Sequence, residues 1–335
     1  MRPRTRVFCE FLAPEVLGDP ATIALMKRRG LEPIIALPPE AETAALGRAI
    51  RLVEGAGIAV GAWPLFSDGD GYWLSTENAS RFPARARAAL AFLEAHGVRP
   101  RSLTFDLEPP LTHARRLLGT GRREGLRYLA GHALSREGQR HARAALLEIS
   151  ALSATLRGQG IEVFAAILPL LLFDLDRAQP FTQALFHTPV AHSSVDVLCP
   201  MAYSSMIGPM LGLDRAGEAR LVYLLARRIL AERGPGRASL ALGLVGPGKL
   251  GNEAHYQDPS ALAEDVAAAR AAGISDLALF SLEGILAEPH PERWLDALRA
   301  EPKRPAPHWV DAGLWGARTL SGTLSRIYAA LRTSS

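Results

Sequence analysis

The stretch Ser102-Leu-Thr-Phe-Asp-Leu-Glu-Pro-Pro110 decides how this chain reads. An apolar run closed by two prolines is a strand that ends in a loop, because proline cannot donate to a ladder. Side chains alternate along a strand. Leu103, Phe105 and Leu107 therefore share one face, suited to packing under helices, and Thr104, Asp106 and Glu108 share the other. Two acids at the C-terminal end of one face must feel each other. Like charges in a confined site raise one carboxyl pKa, and a raised carboxylic acid can protonate a leaving group near neutral pH. The bland alternative is a strand-end pair that caps loop amides or an arginine.

Seven more runs of this kind lie around it: Val7–Phe11, Pro33–Leu37, Ile58–Leu65, Glu162–Leu168, Asp196–Ala202, Ser239–Val245 and Asp276–Leu282. Amphipathic segments near 15–30, 40–56, 80–96, 136–159, 178–190, 216–233, 259–272 and 291–300 alternate with them, several stopping at a glycine such as Gly30 or Gly273. Such alternation predicts a parallel sheet covered by helices, and eight units close into a (β/α)8 TIM barrel with a C-terminal helical tail. A doubly wound open sheet is the competitor, but no Gly-x-Gly-x-x-Gly follows the first run. The barrel is expected over residues 1–300. The Pro-rich break Glu301-Pro-Lys-Arg-Pro-Ala-Pro307 then opens a segment, 301–335, with Leu320, Leu324, Ile327 and Leu331 on one helical face.

Composition sets the outer bounds. The 335 residues are 48% hydrophobic and 21% charged, with mean hydropathy +0.07, so a wholly disordered chain is excluded. No apolar run is long enough for a transmembrane helix, and the start, Met1-Arg-Pro-Arg-Thr-Arg, lacks the apolar core of a secretory signal. Two cysteines, Cys9 and Cys199, make no disulfide scaffold. These features predict a cytoplasmic protein. Only three of the 38 basic residues are lysine, which reads as compositional bias rather than function, and no nucleic-acid motif is present.

In a barrel the chemistry sits on the loops that follow the strands. The loop after strand 3, Trp63–Ser80, holds Trp63, Tyr72 and Trp73, whose rings suit the apolar face of a sugar or a small core that staples the loop. The segment after strand 4, Pro109–Ser135, is expected as a long loop, a candidate lid, carrying Arg115, Arg116, Arg122, Arg123 and Arg127 against Glu124. Arginines of that density predict an acidic substrate, unless they are simply solvated. A third loop, Tyr203–Arg215, follows strand 6. Glu10 at the end of strand 1 and Glu283 at the end of strand 8 are further rim candidates. Glu283 has the opposite parity to Phe280, so a regular strand cannot turn both inward.

The motifs taken in order resemble glycoside hydrolase family 18, the chitinase-like barrels. Asp106-Leu-Glu108 matches the end of that family's Asp-x-x-Asp-x-Asp-x-Glu signature, Met201-Ala-Tyr203 its Met-x-Tyr, and Leu240-Ala-Leu-Gly-Leu-Val its strand 7. Phe280 stands where the family has a pocket-floor tryptophan. The resemblance implies Glu108 as general acid/base, with Asp106 and Tyr203 orienting the substrate. It implies Met201 and Phe280 as sugar contacts. Three of the motifs depart from the pattern: Arg101 and Thr104 replace the first two aspartates, Val60-Gly-Ala-Trp63 replaces Ser-x-Gly-Gly, and Ser204 replaces the acid after the tyrosine.

The expected function is therefore that of a glycoside hydrolase-like enzyme acting on a carbohydrate or glycoconjugate, possibly an anionic one. Two competitors remain: a non-catalytic carbohydrate-binding barrel, and a proton-transfer enzyme of another class. No cofactor is expected. No metal is expected either, because the nine histidines are scattered and no His-x-His ends strand 1.

Overall fold

A computed structural model describes residues 3–333 except 120–123, 125, 126, 128, 132, 134, 178, 179, 191 and 192. Eight strands run parallel: β1 (Arg4–Cys9), β2 (Leu31–Leu37), β3 (Gly61–Pro64), β4 (Ser102–Leu107), β5 (Glu162–Ile167), β6 (Val197–Pro200), β7 (Leu240–Gly243) and β8 (Asp276–Phe280). Their order is 6-5-4-3-2-1-8-7. β1 pairs with β8 over five residues, Arg4 with Asp276 through Phe8 with Phe280. The ring closes between β6 and β7 through the bridges Leu198–Ala238 and Met201–Ala241. This is the predicted α/β (β/α)8 TIM barrel.

Alternation divides the core into two layers. Leu103, Phe105 and Leu107 pack outward under the helices, with Val7, Ile35, Val163, Leu240 and Leu279 from other strands. Phe8, Ile34, Trp63, Phe164, Cys199, Ala241 and Phe280 fill the interior. At the N-terminal end of the barrel the interior is closed by charge. Arg6, 1% exposed, bonds Asp276 and Glu162 and lies 4.3 Å over the Phe164 ring, while Arg4 pairs with Glu32 and Glu162.

The helices begin and stop where local chemistry dictates. Asp19, Thr43, Ser135, Asp214 and Asp258 each accept a backbone N–H at a helix start. Gly30 and Gly273 take the left-handed conformation at helix ends. Two segments expected as loops contain helices: Leu111–Gly119 after β4 and Ser204–Leu211 after β6. In the first, Leu111 is fully buried in the interior layer, so tertiary packing outweighs the loop-like glycines that follow. Arg122 and Arg123 lie outside the described residues.

A long helix, Val310–Thr333, ends the described chain. Of the expected leucine stripe, Leu324 is half-buried. Ser321, Ser325 and Tyr328 are buried, and Tyr328 meets Phe181 edge to face at 5.7 Å, whereas Leu320 is 60% exposed. Hydroxyl contacts with the helix Phe181–Phe186, Thr182 with Ser321 and the Phe181 N–H to Ser325, select the buried face. The side chains of Ile327 and Leu331 lie outside the described ones. No helix among the described residues is long and apolar enough to cross a membrane.

Candidate active site

A cleft opens at the C-terminal end of the barrel. Asp106 and Glu108 reach it from β4 and the residue beyond, on the face that alternation assigns them. Asp106 is buried, and its main-chain oxygen accepts the Leu74 N–H, which fastens the loop after β3 to the end of β4. Glu10 reaches the cleft from β1 because Cys9 packs outward and Phe11 stands on the rim. Its Oε1 accepts a 2.7 Å hydrogen bond from the Tyr72 hydroxyl.

Aromatic side chains build the walls. Trp63 packs edge-on against Phe8 at 5.2 Å, and Phe280 lies 6.0 Å from both Phe8 and Tyr203. Trp73 and Met201 also line the cleft. Tyr72 does not; it stands behind Glu10 with its ring under Lys249 Nζ at 4.1 Å.

Three further expected contacts lie elsewhere. Glu283 sits in the short helix Leu282–Ala287, and its Oε1 accepts the N–H groups of Glu10 and Phe11, so it holds the end of β1 from behind. The parity conflict with Phe280 is thus resolved by ending the strand. Arg115 and Arg116 are exposed on the helix Leu111–Gly119 and do not line the cleft; Arg115 faces Asp68 at 3.7 Å. Both side chains stand on the exposed face of this helix, the first part of the long segment after β4.

Sequence reasoning missed the loop after β7. Lys249 and Glu253 line the cleft, and Lys249 Nζ is 2.7 Å from Asp68 Oδ1. The signal is Gly246-Pro-Gly-Lys249, a glycine-rich turn after β7 that ends in a cation. Ser204, where the resembled family has an acid, turns to Asp265 and Tyr256 instead. Thr104 is fully buried below Asp106, and its hydroxyl has no hydrogen-bond partner among the described residues.

The electrostatics follow from crowding acids in a poorly hydrated space. Burial and the Glu253 charge push Glu108 up to about 8. Burial, Glu108 and Glu10 hold Asp106 well above the usual carboxylate range, against a smaller opposing effect of Trp63. Burial and the neighbouring Glu283 and Glu108 push Glu10 up to about 8, opposed by the Tyr72 hydrogen bond and Lys249. Burial and the same acids raise Tyr203, which keeps it a hydrogen-bond donor. Protonated carboxylic acids near neutral pH, set among aromatic walls, suit proton donation to a bound polar molecule. Outside the cleft lining, Glu77, His113 and His187 converge, a grouping of metal-ligand type that the scattered histidines of the sequence did not suggest.

No protein-family model matches the sequence, and no curated protein matches it either. Solved structures share the fold. The PgaB (BpsB) glycoside hydrolase domain from Bordetella bronchiseptica superposes with TM-score 0.55 at 15% identity, covering 90% of this chain and 100% of that one. A chitinase from Chromobacterium violaceum superposes with TM-score 0.52 at 11% identity, covering 89% of this chain and 98% of that one. These neighbours are glycoside hydrolase and chitinase barrels.

Proposed function

We propose that the chain is a glycoside hydrolase of the chitinase-like type, with Glu108 as general acid/base. Asp106 and Tyr203 position the substrate, Trp63, Trp73, Met201 and Phe280 pack against the sugar ring, and Glu10 holds a proton beside them. The observation that carries this reading is the pairing of Asp106 with Glu108 on one cleft at the end of β4, where Glu108 is pushed up to about 8. A carboxylic acid so placed is protonated at pH 7 and can donate to a glycosidic oxygen. The fold of the glycoside hydrolase neighbours supports the same class.

The lining also speaks to substrate charge. Glu10, Asp106, Glu108 and Glu253 face Lys249 across the cleft, and the arginines of the helix after β4 do not enter it. With Glu10, Asp106 and Glu108 raised toward the protonated form, this lining carries little net charge near neutral pH, which favours a neutral sugar over a uronate or a phosphorylated glycan. The test is hydrolysis of neutral, amino and acidic oligosaccharides by the wild type and by Glu108→Gln. Turnover of a neutral substrate that falls about 10²–10⁴-fold in the variant is the expected result. Binding without turnover in the wild type would make this a carbohydrate-binding barrel instead.

A further inference from the structure

Beside the cleft, three segments that are far apart in sequence bring metal-ligand side chains together. Glu77 lies in the loop after β3, His113 in the helix after β4, and His187 at the end of the helix Phe181–Phe186. His187 Nδ1 is 3.1 Å from Glu77 Oε1, and His113 Nε2 is 3.6 Å from the same oxygen. All three donor atoms lie within 4.8 Å of one another. We propose that Glu77, His113 and His187 bind one divalent transition-metal ion, zinc by preference, which staples the rim of the cleft.

The spacing fits a common ion. Donors at about 2.0–2.1 Å from zinc in tetrahedral array stand roughly 3.3–3.4 Å apart, and the two separations from the shared oxygen fall on either side of that figure. The donor set fits too. Neutral imidazole and carboxylate are ligands of zinc and of its first-row neighbours, and three protein ligands leave one position for water. The two imidazoles are buried and meet edge to face at 4.9 Å, while the Glu77 side chain is 37% exposed and leaves a path from solvent.

The backbone holds this geometry in place. His187 adopts a left-handed φ of 58°, rare for a residue other than glycine and tolerated by histidine more than most. The Thr76 N–H donates to the His187 carbonyl at 2.8 Å, which sets neighbouring Glu77 against the imidazole. Gln183 clamps the turn, accepting the Val190 N–H and donating to Asp174. Asn78 fixes the other side through Ser75, Trp73 and Asp70. Trp73 lines the cleft from the loop that carries Glu77, so an ion here would tie that wall to the segments before and after β5.

The test uses the full chain without an affinity tag, stripped of metal with a chelator. It is titrated with Co²⁺ for visible absorption and with Zn²⁺ for thermal stability and elemental content. The expected result is one ion per chain, a Co²⁺ band of low coordination number and a rise in Tm with Zn²⁺. In Glu77→Ala and His113→Gln the affinity should fall by about 100-fold or more, beyond what changes one step removed from a metal produce. Circular dichroism checks that each variant is folded. Glu77 is partly exposed, so Glu77→Ala decides the matter if His113→Gln unfolds. Failure of the folded wild type to take up one equivalent, or uptake that Glu77→Ala leaves undiminished, overturns the proposal.

Discussion

The Tyr72 hydroxyl donates a 2.7 Å hydrogen bond to Glu10 Oε1 while Lys249 Nζ sits 4.1 Å over the same ring. One residue thus joins the loop after β3, the acid of β1 and the cation of the loop after β7. The bond favours ionised Glu10, against burial, which pushes that carboxyl up to about 8. Tyr72→Phe should therefore raise the Glu10 pKa further and leave the fold intact. Carbon-13 NMR titration of the Glu10 carboxyl reads the shift. An unchanged or lowered value would mean that the hydrogen bond does not govern Glu10.

The cleft acids give the protein an unusual dependence of stability on pH. Glu10 and Glu108 move from 4.5 to about 8 on folding. Between those values the unfolded chain has released protons that the folded chain keeps. Their contribution to stability is therefore full below about 4.5, lost as pH rises toward 8, and level beyond. Glu162, lowered by Arg6 and Arg4 despite its burial, acts in the opposite sense at lower pH. Tm should fall from pH 5 to pH 8, and Glu10→Gln or Glu108→Gln should each flatten the fall. Equally steep profiles in wild type and variants would contradict the assignment.

Arg115→Gln with Arg116→Gln should change KM for the preferred glycan by less than about twofold, because exposed charges outside a site are strongly screened. Steady-state kinetics at low and high salt make the comparison. A large rise in KM confined to low salt would restore the acidic substrate that the arginine density first suggested.

Gly284→Ala should destabilise the fold by about 1–3 kcal/mol, the usual range for overpacking. A Cβ there would collide with the Val245 carbonyl oxygen, and backbone must move to admit it. Chemical denaturation measures the loss. The displaced strand end leads into the loop that carries Lys249, so KM should rise as well.

Much of this was legible because strand alternation is a strict rule. The parity of Ser102–Leu107 predicts which side chains of β4 meet helices and which face the axis, and the outer layer holds Leu103, Phe105 and Leu107. Alternation stops with the strand, and so did the reading. Glu283 misled because β8 ends at Phe280, so its position reflects a helix start rather than a strand face. The helix Ser204–Leu211 escaped notice because Gly208 and Pro209 oppose helix formation. Glu77, His113 and His187 carry no sequence spacing that announces them. Their meeting depends on how three connections fold over the barrel, which no local pattern encodes.

The pairing of β1 with β8 has a consequence for the newly made chain. Arg6 and its partner Asp276 are 270 residues apart, and Glu283, which holds the end of β1, is synthesised later still. At ribosomal speeds of about 5–20 residues per second, the interval is roughly 14–54 s. Throughout it the first strand, with Glu10, has β2 on one side and an open edge on the other. An edge of that kind can recruit another chain. Arg4 and Arg6 put two charges on that strand, and charges on an exposed strand disfavour such pairing.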